Sequence, residues 1–192
     1  EFNCDDLYKS LYITSLHGQT KDALAKMQPG QWKYDIIEAG YKCNMTDILA
    51  SIGLVELSRY ETETLPRRKE IVKRYMKWFS ACDWALLPPV ENENAGSSCH
   101  LFLLRVKGVD ETRRDAIIQK IFEKQVSVNV HFIPVPMMSY YTSLGYDIKN
   151  YPVTFSMYEN EISLPVYFDL TPEQTDTVAQ KVIESVHEVC GW

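Results

Sequence analysis

Gly40–Leu57 reads GYKCNMTDILASIGLVEL, and its interpretation constrains everything else in the chain. A glycine turn and a short polar cluster open it, and an amphipathic helix follows. Asn44 suits the N-cap, and Asp47, three positions on, sets a carboxylate at the positive end of the helix dipole. Met45, Ile48, Leu49, Ile52 and Leu57 share one face at helical spacing, which predicts a buried helix. Gly40, Lys42, Asn44 and Thr46 surround its start with backbone N–H groups and a cation, a combination suited to a phosphate. On spacing alone, an ordinary capped core helix is the simpler reading.

Upstream, Asp5 or Asp6 caps a predicted helix through Leu7, Leu11 and Leu16 that ends at His17-Gly18, with Gly18 as the C′ residue. His17 receives no chemical role. Gln19–Glu38 is polar, with a turn at Pro29-Gly30 and anchors at Trp32 and Tyr34. Downstream, charge dominates to Glu63, and a second long helix starts near Pro66. Its apolar face is Ile71, Val72, Tyr75, Met76 and Phe79, and its basic residues read as a solvated surface.

Short strands are predicted at Trp84–Leu87 and Cys99–Val106, separated by a polar loop, Glu91–Ser97. Asp110 caps a helix with apolar positions Ala116, Ile117, Ile121 and Phe122. Val126–Ile133, VSVNVHFI, reads as a further strand. Pro134–Tyr141 is irregular, short turns or helices follow through Pro152–Glu159, and Glu161–Pro165 is extended. Thr171-Pro172-Glu173-Gln174 combines a capping box with proline at the first helical position, ahead of a stripe at Val178, Val182, Ile183, Val186 and Val189. The sum is an α/β (α+β) chain, a small sheet with helices on one face, preceded by long helices.

With 192 residues, 45% of them hydrophobic, the chain can bury its own core. A net charge of −6 without a basic run argues against nucleic acid as a partner. Five scattered cysteines without CxxC spacing indicate reduced thiols, with neither disulfides nor zinc, and four well-separated histidines give no metal site. No apolar run approaches membrane-spanning length, so a cytoplasmic protein is expected. Glu1-Phe2-Asn3 opens the chain without methionine, which suggests a fragment or processed product.

The Gly40–Leu57 stretch resembles the signature that follows the cofactor lysine in sugar aminotransferases of the DegT/DnrJ/EryC1/StrS family. Gly40, Tyr41, Lys42, Asn44, Met45, Thr46, Asp47, Ile48, Ala50, Gly53, Leu54 and Leu57 carry the likeness; Cys43, Ser51 and Glu56 depart from it. Ser98-Cys99-His100-Leu101-Phe102, Val130-His131-Phe132-Ile133-Pro134, Leu144-Gly145-Tyr146 and Ile162-Ser163-Leu164-Pro165 repeat the resemblance in the family's order, over nearly the whole chain. Pro136 stands where many members have a second histidine, and Gln125 where many have glycine.

The resemblance implies an aspartate-aminotransferase-like (type I) fold and pyridoxal 5′-phosphate (PLP) as cofactor. Residues 1–63 would be the tail of the PLP-binding large domain and 64–192 the small C-terminal α/β domain, with its mainly antiparallel sheet. It also implies a homodimer, a nucleotide-sugar substrate and an amino-acid donor. The Schiff-base lysine and the Gly-rich segment after it are absent from this sequence, so the chain alone is expected to be inactive. By position, Lys42 and Asn44 would reach the phosphate of PLP in the neighbouring subunit; for Asn44, capping its own helix is an equal reading. His131 would lie near the sugar-nucleotide pocket, the other reading being a half-buried strand-end histidine bonded to backbone. His100 reads as a core histidine. No paired carboxylates and no Ser/His/acid set offer another chemistry. Two alternatives remain: a PLP-dependent sugar dehydratase (lyase) of the same family, and a non-catalytic interaction module.

Overall fold

The strongest local signals in the chain are the caps, and they fix where two of its helices begin. The computed structural model describes residues 4–20, 34–43 and 46–192. In chain order, α1 is Cys4–Ser15 and α2 is Asp47–Arg59, which runs through a π-helical turn, Tyr60–Thr64, into α3, Leu65–Phe79. Then come β1 (Ala85–Leu86), β2 (Glu91–Asn92), β3 (Ala95–Gly96), β4 (Phe102–Val106) and α4 (Glu111–Glu123). Short helices α5 (Ser139–Ser143) and α6 (Pro152–Tyr158) lead to β5 (Glu161–Leu164) and α7 (Pro172–Cys190). The chain divides into two compact units, one of Glu1–Leu54 with Ile133–Phe155, the other of Val55–Phe132 with Ser156–Trp192.

The second unit holds the core. Its sheet runs β1-β4-β5, antiparallel throughout, with Phe102 opposite Leu164 and Arg105 opposite Glu161. Side chains alternate across a strand. Phe102, Leu104 and Val106 therefore share one buried face, on which Phe102 meets Tyr75 and Phe79 of α3 at ring-centre distances of 5.1 and 6.1 Å. Helix α7 begins with the expected capping box: Gln174 N–H donates to the Thr171 hydroxyl, and the Gln174 side chain accepts from Thr171 N–H. Gly191, at φ 73°, closes it. Asp110 caps α4 through the Arg113 amide at 2.8 Å.

Several expectations are corrected. The Val126–Ile133 strand reduces to one antiparallel bridge, Asn129 to Ser163, because the backbone beyond it bonds side chains instead of a ladder. The Glu91–Ser97 loop is a small hairpin, β2–β3, closed by Ser97 N–H on the Val90 carbonyl. The buried stripe of α4 is Arg114, Ile117, Ile118 and Ile121, while Ala116 is exposed and Phe122 half-buried. His100 is exposed, not core, since Cys99 before it takes the inward position at a positive φ of 51°. Gln125, in place of a glycine, still adopts the left-handed φ of 64°.

In the first unit, α1 ends with the outer bond of a Schellman turn, Gly18 N–H on the Ile13 carbonyl at 2.9 Å, while the His17 N–H turns to the Tyr41 carbonyl. The left-handed C′ residue is His17, at φ 64°, rather than Gly18, which follows it at φ 75°. From there residues 16–20 pair with 35–42 through bridges Leu16–Lys42 and Gln19–Ile36. The larger correction concerns α2. It was expected to be buried, yet none of its residues is buried in this chain, and Ile48 is 75% exposed. Met45 and the Asn44 cap lie outside the described residues; the helix begins at Asp47, and the Thr46 hydroxyl accepts Leu49 N–H at 3.4 Å.

Candidate functional site

Two polar clusters stand out, one in each unit. In the first, Lys42 sits on the strand-like segment 35–42 and is exposed, its backbone bridged to Leu16. Tyr41 beside it donates its N–H to the Thr14 carbonyl at 2.7 Å and accepts from His17 N–H at 3.0 Å. Lys42 and the start of α2 bring a cation and helix N–H groups, which fit a phosphate in charge. Among the described residues of this unit, no buried acid or aromatic platform joins them. They fit one corner of a PLP site. Asn44 lies outside the described residues.

Sequence reasoning missed Asp35 altogether. Its carboxylate accepts from Ser139 N–H at 2.9 Å, from the Ser139 hydroxyl and from Ile36 N–H at 2.8 Å, while Tyr140 N–H donates to the Ile36 carbonyl at 2.9 Å. Burial pushes its pKa upward, but the three hydrogen bonds together outweigh that and hold it below the ordinary value. The signal was an acid inside the apolar run Tyr34–Ile37.

In the second unit, the Asn129–Ser163 bridge is the organising contact, with backbone bonds of 3.1 and 2.7 Å in the two directions. Antiparallel register carries His131, two residues on, opposite Glu161, two residues back. His131 N–H donates to Glu161 Oε2 at 3.0 Å, and its ring Nδ1 lies 2.8 Å from Ser163 Oγ, which in turn bonds Glu161 Oε1 at 2.5 Å. His131 is half-buried, and its ring meets Phe132 edge-on at 4.7 Å. The structure thus assembles a Ser/His/acid set where none was expected, because the three residues are brought together only by the bridge. The serine stands between acid and imidazole, so the order is not that of a nucleophilic triad, in which the histidine is central.

Arg114, fully buried, backs this set. Its guanidinium donates to the Tyr158 carbonyl at 2.9 Å and the Glu161 carbonyl at 3.5 Å, pairs with Asp115 at 2.8 Å and lies over the Tyr158 ring. Burial dominates at Glu161 and raises its pKa to about 7, opposed by the Ser163 bond, the His131 amide and the Arg114 charge. A carboxyl raised in the folded state binds more protons there than when unfolded, so its contribution to stability falls as pH rises from its ordinary value of 4.5 to about 7. Unfolding by urea should therefore show a higher midpoint near the acid end of that window, by roughly 3 kcal/mol in free energy. Glu161→Gln should flatten that slope, and an unchanged slope would count against a buried, titrating Glu161.

Lys42 and His131 belong to different compact units. Among the described residues, no three His, Cys, Asp or Glu side chains are grouped to hold a metal, and no helix is long and apolar enough to cross a membrane.

Comparison with known proteins supplies the lineage. A profile of the DegT/DnrJ/EryC1/StrS aminotransferase family matches residues 2–183. The chain belongs to that family. Within it, the chain is 33% identical over 189 residues to the uncharacterized protein MJ1066 of Methanocaldococcus jannaschii, covering 96% of this chain and 47% of that one. It is 32% identical over 189 residues to the spore coat polysaccharide biosynthesis protein SpsC of Bacillus subtilis, with the same coverage of 96% and 47%. Among solved structures it resembles Spr1654 of Streptococcus pneumoniae, assigned as a sugar aminotransferase, in its PMP-form: TM-score 0.71 and 44% identity over 96% of this chain and 46% of that one. The small antiparallel sheet and its helices thus belong to the aminotransferase fold. The chain spans about half the length of the curated relatives it matches.

Proposed function

We propose that these 192 residues are the C-terminal part of a PLP-dependent nucleotide-sugar aminotransferase, which moves an amino group from glutamate to a keto-sugar nucleotide for surface polysaccharide or related sugars. Membership of the family across residues 2–183 carries this reading. Residues 1–63 are then the tail of the PLP-binding large domain and 64–192 the small C-terminal domain of a cytoplasmic homodimer. PLP, when bound, supplies the electron sink for amino transfer. This chain's part is to bind and orient. Lys42, exposed beside the start of α2, and Asn44 hold the phosphate of the neighbouring subunit's PLP, and His131 meets the sugar nucleotide.

With no cofactor lysine ahead of a Gly-rich segment in this sequence, the chain alone does not transaminate. Two measurements test the reading. The purified chain incubated with PLP should give no absorbance band reducible by borohydride and no amino transfer; either activity overturns that part. Sequencing the coding region upstream of Glu1 should reveal a lysine followed by a Gly-rich turn. Histidine in that position would favour a sugar dehydratase, and a start codon near Glu1 would overturn the enzyme reading.

A further inference from the structure

Glu161 and Ser163 lie on the side of the sheet opposite Phe102 and Leu104, because β5 alternates and Ser163 pairs with Leu103. Both are almost fully buried, at 4% and 3% exposure, beneath the segment that carries His131. What they do is grip one histidine at two points, its backbone N–H and its ring Nδ1.

We propose that Glu161 and Ser163 are positioning residues that fix both the orientation of the His131 ring and its tautomer, with the proton on Nδ1 and the lone pair on Nε2. The argument is donor arithmetic. An ionised Glu161 only accepts, so the Ser163 hydroxyl must donate to it. The Ser163 oxygen then has only lone pairs for the imidazole, and Nδ1 must be the donor across 2.8 Å. In the neutral ring Nε2 is left as an acceptor, suited to a hydroxyl or amide N–H of the substrate. This deepens the reading of His131 as a substrate residue and rests on it for that last step.

Protonation of Glu161 permits the reverse chain, in which the acid donates to Ser163 and Ser163 to Nδ1. The charged and titratable groups around Glu161 are Arg114 of α4 with Asp115 and Glu111 beside it, Arg105 opposite it on β4, Tyr158 at the end of α6, and His131 itself. Its pKa of about 7 places the change of donor order near neutrality.

Long-range nitrogen–proton NMR correlation on the labelled chain reads the tautomer directly; the His131 signals are those lost in His131→Gln. At a pH well above 7 the wild type should show Nδ1–H. Ser163→Ala should convert it to Nε2–H, and Ser163→Thr should restore Nδ1–H. Glu161→Gln should also invert it: the His131 amide claims the side-chain oxygen, turning the NH2 toward Ser163. Wild-type His131 as Nε2–H, or Ser163→Ala without effect, overturns the proposal; the serine variants decide it if Glu161→Gln does not fold. Substrate contact is read separately, by the KM of the longer enzyme for its keto-sugar nucleotide after His131→Asn. An unchanged KM removes that role and leaves the tautomer result standing.

Discussion

Gly40→Ala is expected to abolish the pairing of residues 16–20 with 35–42. A Cβ at Gly40 would lie 2.3 Å from the Gly18 nitrogen, 2.6 Å from the His17 carbonyl carbon and 2.7 Å from the Thr14 oxygen. All three are main-chain atoms, so no side-chain rotation relieves the overlap. Crowding a packed side chain costs about 1–3 kcal/mol, and crowding fixed backbone should reach the upper end or exceed it. Hydrogen exchange gives the clean readout: the His17, Ile37 and Tyr41 amides, bonded across this pairing, should lose protection while those of β4 and β5 keep it. Gly53→Ala is the control. Nothing lies within 4 Å of the added carbon, and alanine is preferred in a helix interior by about 1 kcal/mol, so stability should hold or rise. Retained protection in Gly40→Ala would mean that the close approach does not govern this position.

Arg114→Met carries the second large effect. Methionine fills much of the arginine stem's volume but cannot donate, which leaves the buried carbonyl of Tyr158 and that of Glu161 without its hydrogen bond. Each buried acceptor left unmet costs about 1–3 kcal/mol. The ring contact with Tyr158 is also lost, at a centroid distance of 4.8 Å. Asp115 and Glu111, both partly exposed, can turn to water and soften the loss. A total of about 3–5 kcal/mol is expected, a large part of the stability of an ordinary domain. Removing the cation should also drive the Glu161 pKa further up, since that charge opposes the rise. A urea midpoint within experimental error of wild type would show that the guanidinium is replaceable.

Local chemistry was legible in the sequence. Asp110, Thr171, Gln174 and Pro172 mark helix starts through bonds between residues three apart, and the structure places those starts where the pattern did. The α4 stripe was not, because a hydropathy reading selects apolar residues and slides past an arginine that belongs at position i of an i, i+3, i+4, i+7 face. The polar set around His131 was half legible. The histidine was recognised from its motif, but its partners lie 30 and 32 residues away and meet it only through one bridge at Asn129. For α2 the periodicity correctly gave a helix, yet periodicity says only that a face is apolar; what covers it is a tertiary matter. Gly40 was seen as a turn, while its reason is the approach of two backbones 22 residues apart, which no local pattern encodes.

The interleaving of the two units has a consequence for how the polypeptide is made. Asp35 waits for Ser139, the sheet waits for β5, and α3 waits for α7, whose Asp176 takes the Arg74 guanidinium and the Trp78 indole N–H at 2.6–2.7 Å. Synthesis proceeds in one direction, so Asp35 emerges 104 residues ahead of Ser139, and α3 well ahead of α7, and each waits while the segments between are still being translated. The segment 34–43 and the Arg74–Trp78 side of α3 are then open to chaperones, and to other nascent chains, until those partners arrive. Slowing translation after Phe132 should lengthen that interval, and it is in that interval, as well as in the finished protein, that sequence changes at Asp35, Arg74 and Trp78 should act on the yield.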